Sequence, residues 1–346
     1  MQQIPQAAAK VSSVPVAEPE KDRTKRNNAK RDRASNKKKV ERLNRKSDIT
    51  MLSMCVPTLI KLLIFQYLPM IGILIAFQEY KPSKYLFEAG RGVFGSKFVG
   101  FKNFEFFFKG VAAEVTFNTL AYNAVFIVTG LVFSVVLALI LFEVSNKKVV
   151  KSFQTVVFFP YFISWALVGL ILTSMLNSSG MVTNLVLQLT GKKIDFYSTP
   201  GYWRFILPVV NIWKGCGVSA IIYYANMLSV SNEYYEAAYL DGASKLQCAR
   251  HITLPFIMPM IVTLTLLSLG GIIRSDFGIF YFATRNSQLL YPATTVIDTY
   301  VYRALESLGD FSMSTAIGLY QSVIGFILVI VSNKIVQKRD AQRALF

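Results

Sequence analysis

One histidine and three cysteines are all that 346 residues offer to metal or thiol chemistry. His251 alone cannot build a multi-histidine metal site. Cys55, Cys216 and Cys248 form no CxxC and lie in or beside apolar segments, so they read as buried thiols, not a disulfide framework. Acids are scarce: 20 Asp and Glu stand against 37 Lys and Arg, a formal net charge of +17. Catalytic patterns are also missing. There is no HExxH, no GxSxG and no membrane carboxylate pair, so protease and hydrolase chemistry has no foothold. GRGVFGSK at 90–97 looks like a phosphate-binding loop, but Ser96 precedes Lys97, the reverse of the order in which lysine reaches phosphate and a hydroxyl holds Mg²⁺. The chain is therefore expected to be no enzyme and to bind no cofactor or metal of its own.

What is present is apolar sequence. Hydrophobic residues make up 53% of the chain. Six segments, at about 52–77, 116–142, 152–176, 203–228, 255–273 and 312–333, are long enough to cross a ~30 Å hydrocarbon core as helices. A helix satisfies its own backbone in lipid, so the fold class predicted is an all-α integral membrane protein with six transmembrane helices. Pro57, Pro69, Pro160, Pro208 and Pro259 fall inside these segments and predict local kinks, not broken spans.

An even number of spans puts both termini on one side. That side carries 23 Lys and Arg against 12 in the opposite loops, 78–115, 177–204 and 274–311. The positive-inside rule then places both termini, the 143–151 turn and the 229–254 loop in the cytoplasm. Residues 1–50 hold 14 Lys and Arg, six acids and no aromatic residue. They lack apolar periodicity and are predicted to be a mostly disordered basic tail, attracted to anionic lipid and outside nucleic-acid chemistry for want of stacking groups. The tail is not read as a signal peptide, because the apolar segment after it spans a bilayer.

The polar loop EAAYLDGASKLQCARHITLP, 236–255, is too organised for a connector. Asn232 is placed to cap a helix with Glu233 and Glu236 in its first turns, where carboxylates favour the helix dipole. Tyr235, Ala238 and Tyr239 share one side at i, i+3, i+4. Asp241-Gly242 signals a turn, since glycine accepts positive φ without steric cost. Ser244 and Gln247 fit a capping box for a second short helix, and Pro255 suits the first turn of the next span.

These residues carry a resemblance. The cytoplasmic EAA loop of bacterial ABC importer permeases reads Glu-Ala-Ala, two residues, Asp-Gly-Ala, eight residues, then Ile-x-Leu-Pro. The chain has Glu236, Ala237, Ala238, Asp241, Gly242, Ala243, Ile252, Leu254 and Pro255 at those offsets. YLPMIGILIAFQEYKP at 67–82, FVGFKNFEFFF at 98–108 and VIDTYVYRAL at 296–305 resemble the carbohydrate-uptake branch, nearest to permeases for oligosaccharides and polysaccharide fragments. The resemblance covers residues 51–346 and implies a type I importer permease (MetI-like) fold, with the 1–50 tail outside it. It implies that loop 232–255 couples the spans to a separate ATP-binding subunit dimer, which holds ATP and Mg. It implies a second permease subunit as partner, by its branch a sister forming a heterodimer. An extracytoplasmic solute-binding protein would dock on the outer loops of this bacterial cell-membrane protein. The competing reading is a secondary transporter or channel with no ATPase.

Polar residues inside spans are functional candidates by default. For the substrate path these are Asn118, Tyr122 and Asn123, then Trp165 beside Ser164, then Asn211, Trp213 and Lys214, and finally Tyr320 and Gln321. Arg274 and Asp276 bracket the outer end of the fifth span, where they either pair or line an entrance. Helix–helix hydrogen bonding is the alternative for the asparagines, and pairing or snorkelling for Lys214. Were the substrate an acidic oligosaccharide, Lys214 and Arg274 would be its charge partners. Unchanged uptake of such saccharides by Lys214→Ala and Arg274→Ala variants would refute that.

Overall fold

A computed structural model describes residues 50–82, 90–108 and 110–339. The basic tail expected over 1–50 lies outside those residues except for Thr50. Contacts divide the chain into two units, 1–71 and 72–346. The described part of the first unit is helical and exposes apolar side chains almost throughout, Met54 and Phe65 among them. Lipid accepts such a surface.

Six described stretches are long and apolar enough to cross a membrane. They are α1 (Thr50–Phe77), then 112–143 within α2 (Gly110–Glu143), then Trp165–Thr190, then α6 (Pro200–Met227), α8 (Lys245–Gly270) and 311–338 within α10 (Phe311–Arg339). The third differs from the expected 152–176. The chain there forms α3 (Lys147–Phe162), α4 (Trp165–Leu176) and α5 (Met181–Thr190). Length and hydropathy pick out Trp165–Thr190, but that stretch is interrupted at 177–180, where Gly180 N bonds Asn177 O at 2.9 Å. Packing argues for α3 and α4 together. Val157 lies against Gly217, Pro160 to Ile163 against Lys214, and Thr173 against Tyr197 just ahead of α6. The α3–α4 pair therefore runs antiparallel to α6 along most of its length.

That pair is broken, which corrects the expectation of kinks alone. Ile163 and Ser164 are extended, with ψ of 128° and 150°. Pro160 sits in the last turn of α3, and the Ser164 hydroxyl accepts Leu167 N at 3.3 Å as the N-cap of α4. Two local signals thus coincide within five residues: a proline that weakens the turn behind it and a serine that starts a new helix. By contrast α6 and α8 continue through Pro208 and Pro259.

Two buried clusters bind the helices. Tyr122, Leu176, Trp203, Leu207 and Phe280 join α2, α4, α6 and the segment after α8. Ala138, Ala220, Tyr223, Met227 and Ile257 join α2, α6 and α8. Between α8 and α10 the chain forms short turns and α9 (Ile297–Leu308), which caps the far end of α2. The rejected loop 90–97 ends in a two-residue strand, β2 (Lys97–Phe98), paired antiparallel with β1 (Gln78–Glu79).

Candidate functional site

The polar loop folds as a compact hairpin. Its first helix, α7 (Asn232–Leu240), is capped by Ser231, whose hydroxyl accepts Glu233 N at 3.4 Å. The cap falls one residue ahead of the expected Asn232, which is itself the first helical residue. Gly242 takes φ +80° and turns the chain, and Ala243 N closes onto Ala238 O at 2.9 Å. The Ser244–Gln247 capping box forms as expected. The second helix is not a separate piece. It runs unbroken into the span as α8, through one wide turn at Ala249–Thr253. Pro255 explains the turn. It has no N–H to donate, and its ring would press on the carbonyl four residues back, so a locally widened helix relieves both problems.

One face of the hairpin is anchored. Val230, Tyr235 and Cys248 are buried against Phe142, Ala238 and Ile252. Tyr235 and Thr253 hydroxyls meet at 2.9 Å, and burial pushes the Tyr235 phenol above its ordinary pKa. Lys245 Nζ reaches Glu143 Oε2 at 2.9 Å, tying α8 to the end of α2. The other face is bare: Leu240 is 89% exposed and Leu246 79%, with Glu236, Ala237 and Asp241 exposed between them. Tyr239, expected beside Tyr235, is exposed as well.

A cavity of about 510 Å³ opens between α2, α6 and α8. Asn123, Ser134, Asn211, Ser219, Thr265 and Ser268 supply its polar lining, with Phe126 and Tyr223 among the aromatic groups. Ser134 bonds Cys216 O at 3.0 Å, while Thr265 and Ser268 bond carbonyls of their own helix. The Asn211 amide lines the cavity and makes no hydrogen bond among the described residues. Asn123 and Asn211 belonged to the expected path; Ser134, Ser219, Thr265 and Ser268 were missed. Asn211, Gly215, Ser219 and Ile222 repeat at helical spacing along one face of α6, and that pattern was the legible signal.

Most of the other path candidates are engaged in bonds or packing within the protein. Asn118 and Tyr122 donate to Thr295 O and Ala293 O at 3.3 and 2.8 Å, and Asn123 also donates to Ile272 O at 2.7 Å. Gln321 donates to Ile273 O at 2.9 Å, and Tyr320 packs in the cluster around Ile297 and Ile317. Trp213 is exposed. Lys214 caps the broken span: its ammonium donates to Pro160 O at 3.2 Å, Tyr161 O at 2.8 Å and Ile163 O. It also lies over the Trp165 ring at 5.2 Å, and Trp165 Nε1 donates to Asp276 Oδ2 at 2.6 Å. Arg274 turns to Ser322 Oγ at 2.7 Å, and no Arg274–Asp276 ion pair is found among the described residues. Asp298 was overlooked. Its carboxylate accepts Ser275 N at 2.6 Å, and burial raises its pKa above the usual aspartate value.

A family model described as "Binding-protein-dependent transport system inner membrane component" matches residues 130–340. Protein LplB of Bacillus subtilis (strain 168) is 35% identical over 303 residues, 87% of this chain and 92% of that one. The polygalacturonan/rhamnogalacturonan transport system permease protein YteP of the same organism is 36% identical over 296 residues, 82% of this chain and 87% of that one. Among solved structures, a chain of a bacterial alginate ABC transporter, in complex with an alginate pentasaccharide-bound periplasmic protein, superposes with a TM-score of 0.74. Its identity is 30%, over 85% of this chain and 96% of that one.

Proposed function

The chain belongs to the family of binding-protein-dependent transport system inner membrane components and is the membrane-spanning permease of an ABC importer, and from that premise we propose what it carries and how it is driven. The cargo is a carbohydrate, in the form of an oligosaccharide, and it passes the cavity between α2, α6 and α8. Hydroxyl and amide groups beside aromatic faces suit sugar rings, and the two relatives named for polygalacturonan and alginate support the class.

The driving motion comes from a separate ATP-binding subunit dimer that docks on the bare face of the hairpin and holds the ATP and Mg²⁺. One observation carries this reading: the second hairpin helix and a cavity wall are the same helix. From Lys245 to Gly270 it has 26 residues, roughly 39 Å at 1.5 Å per residue. A displacement at Leu246 therefore reaches Thr265 and Ser268 with no joint except the wide turn at 249–253. Two discrete positions of such an element open the cavity to one side or the other. Both termini face the cytoplasm in this arrangement. A sister permease completes the pathway as a heterodimer, and a solute-binding protein delivers the sugar to the opposite face.

The test is a tagged purification from native membranes in mild detergent, scored for co-purifying subunits and ATP hydrolysis, beside a Gly242→Pro variant. Proline fixes φ near −65°, far from the +80° of Gly242. Co-purification of an ATPase and a second permease, lost or uncoupled in the variant, is expected. A chain that purifies alone and moves solute down an ion gradient would overturn the proposal in favour of a secondary transporter.

A further inference from the structure

A second cavity, of about 620 Å³, lies at the end of α2 remote from the hairpin. That volume is within the ~300–1,000 Å³ usual for small-ligand sites. Its walls come from the start of α2, from 288–295 and from α9. On the α9 wall sits Arg303, half-buried, its guanidinium carbon 3.7 Å from the centre of the Tyr291 ring. The ring face holds the guanidinium plane in place.

A guanidinium carries five N–H donors. One bond is found for Arg303 among the described residues, from NH1 to Thr295 Oγ1 at 3.3 Å. The Nε atom is buried without a hydrogen-bond partner among the described residues. No carboxylate forms an ion pair with Arg303 among the described residues. Arginine removed from water is ordinarily paired, because an uncompensated charge in a low-dielectric site is costly. Burial depresses the pKa of Arg303, as expected of a cation lacking a counter-charge. The cavity thus contains a fixed, partly desolvated cation with unused donors and room beside it.

We propose that this cavity is a subsite for a carboxylate-bearing sugar unit, a uronate, with Arg303 as the group that takes the carboxylate. The proposal rests on the carbohydrate reading above and narrows it. Gln288 and Asn118 line the same cavity and can meet ring hydroxyls. Glu114, exposed on the α2 wall, accepts from hydroxyls too, and repels a second carboxylate. The carboxylate therefore falls on the side of Arg303, away from Glu114. It is separate from the cavity between α2, α6 and α8 and shares no lining residue with it.

The experiment uses the assembled transporter in phosphatidylcholine nanodiscs, without solute-binding protein. Calorimetry measures trigalacturonate, with galactotriose as its uncharged counterpart. Wild type is expected to prefer trigalacturonate, and Arg303→Gln to weaken it by about thirtyfold or more, leaving galactotriose unchanged. Glu114→Gln is expected to tighten trigalacturonate severalfold, a gain that misfolding cannot imitate. Equal binding by wild type and Arg303→Gln, equal affinity for the two saccharides, or no binding by wild type would each overturn the subsite. A lipid headgroup offers Arg303 the same anionic chemistry. Nanodiscs doped with phosphatidylglycerol separate the two: abolished trigalacturonate binding there assigns the cavity to lipid and overturns the proposal. Uptake into proteoliposomes with the binding protein present tells the two readings apart. Import with binding indifferent to Arg303 defeats the subsite alone, while import of no saccharide defeats the carbohydrate reading as well.

Discussion

Replacing Lys214 with methionine keeps the length and most of the apolar stem and removes the ammonium. In the structure that ammonium holds three carbonyls, Pro160, Tyr161 and Ile163, at the break between α3 and α4. Pro160 O also accepts Ile163 N at 3.2 Å, but the Tyr161 and Ile163 carbonyls have no following helical turn to satisfy them, and lipid supplies no water. A hydrogen bond involving a charged group contributes about 1.5–3 kcal/mol. Three such bonds do not add fully, and Lys214 is only half-buried, so the expected loss is about 3–5 kcal/mol. At about 2 °C per kcal/mol for a long chain, the melting temperature should fall by roughly 6–10 °C. The assay is thermal aggregation of the detergent-solubilised complex, followed by fluorescence-detected size exclusion. Lys214→Arg should recover part of the loss, since its planar fork fits fewer of the three acceptors. A Lys214→Met complex that melts with wild type but no longer imports acidic saccharides would refute the capping argument. It would restore Lys214 as a substrate contact.

Gly217 faces Val157 so closely that a Cβ would lie 2.3 Å from the Val157 carbonyl oxygen. Gly217→Val should force α3 from α6, and loss of folded complex after solubilisation is the readout; wild-type yield would contradict the close approach. Tyr235→Phe removes the Thr253 hydrogen bond while keeping the Phe142 contact, so stability should drop by about 1 kcal/mol in the same melt. Asp298 titrates above its unfolded value because burial disfavours the carboxylate. The folded state therefore binds more protons across the window between the ordinary aspartate value and the raised one, and stability falls as pH rises through it. Asp298→Asn should flatten that fall; an unchanged pH profile would show that another group causes it.

The six apolar stretches, the hairpin's turn residues and the capping box were legible because each depends on neighbours within a few positions. Gly242 must accept positive φ wherever the hairpin points, and Ser244 caps whatever helix follows it. The break at 163–164 was half legible: Pro160 and Ser164 are visible in sequence, but a helix can absorb either signal, as α6 absorbs Pro208. At the break the freed Ile163 carbonyl meets a cation 51 residues further along the chain, a partner that only the fold brings there. The wide turn before Pro255 was half legible in the same way: the proline is visible in sequence, but a proline at that position fits the start of a new helix as well as a widened turn within one.

The candidate site divides along the same line. By itself the sequence determined the all-helical membrane class, the number of apolar stretches and the turn and caps of the polar hairpin, all properties of composition and short-range order. The tertiary structure alone decided which polar residues face a cavity and which hold helices together. Asn211 and Lys214 are three residues apart on α6, yet one lines open space and the other caps α3. Arg303 and Tyr291 lie twelve positions apart, on different turns, and only folding stacks one on the other. The physical reason is that helical periodicity assigns a residue to a face, whereas the neighbour that face meets is chosen by packing across the whole chain.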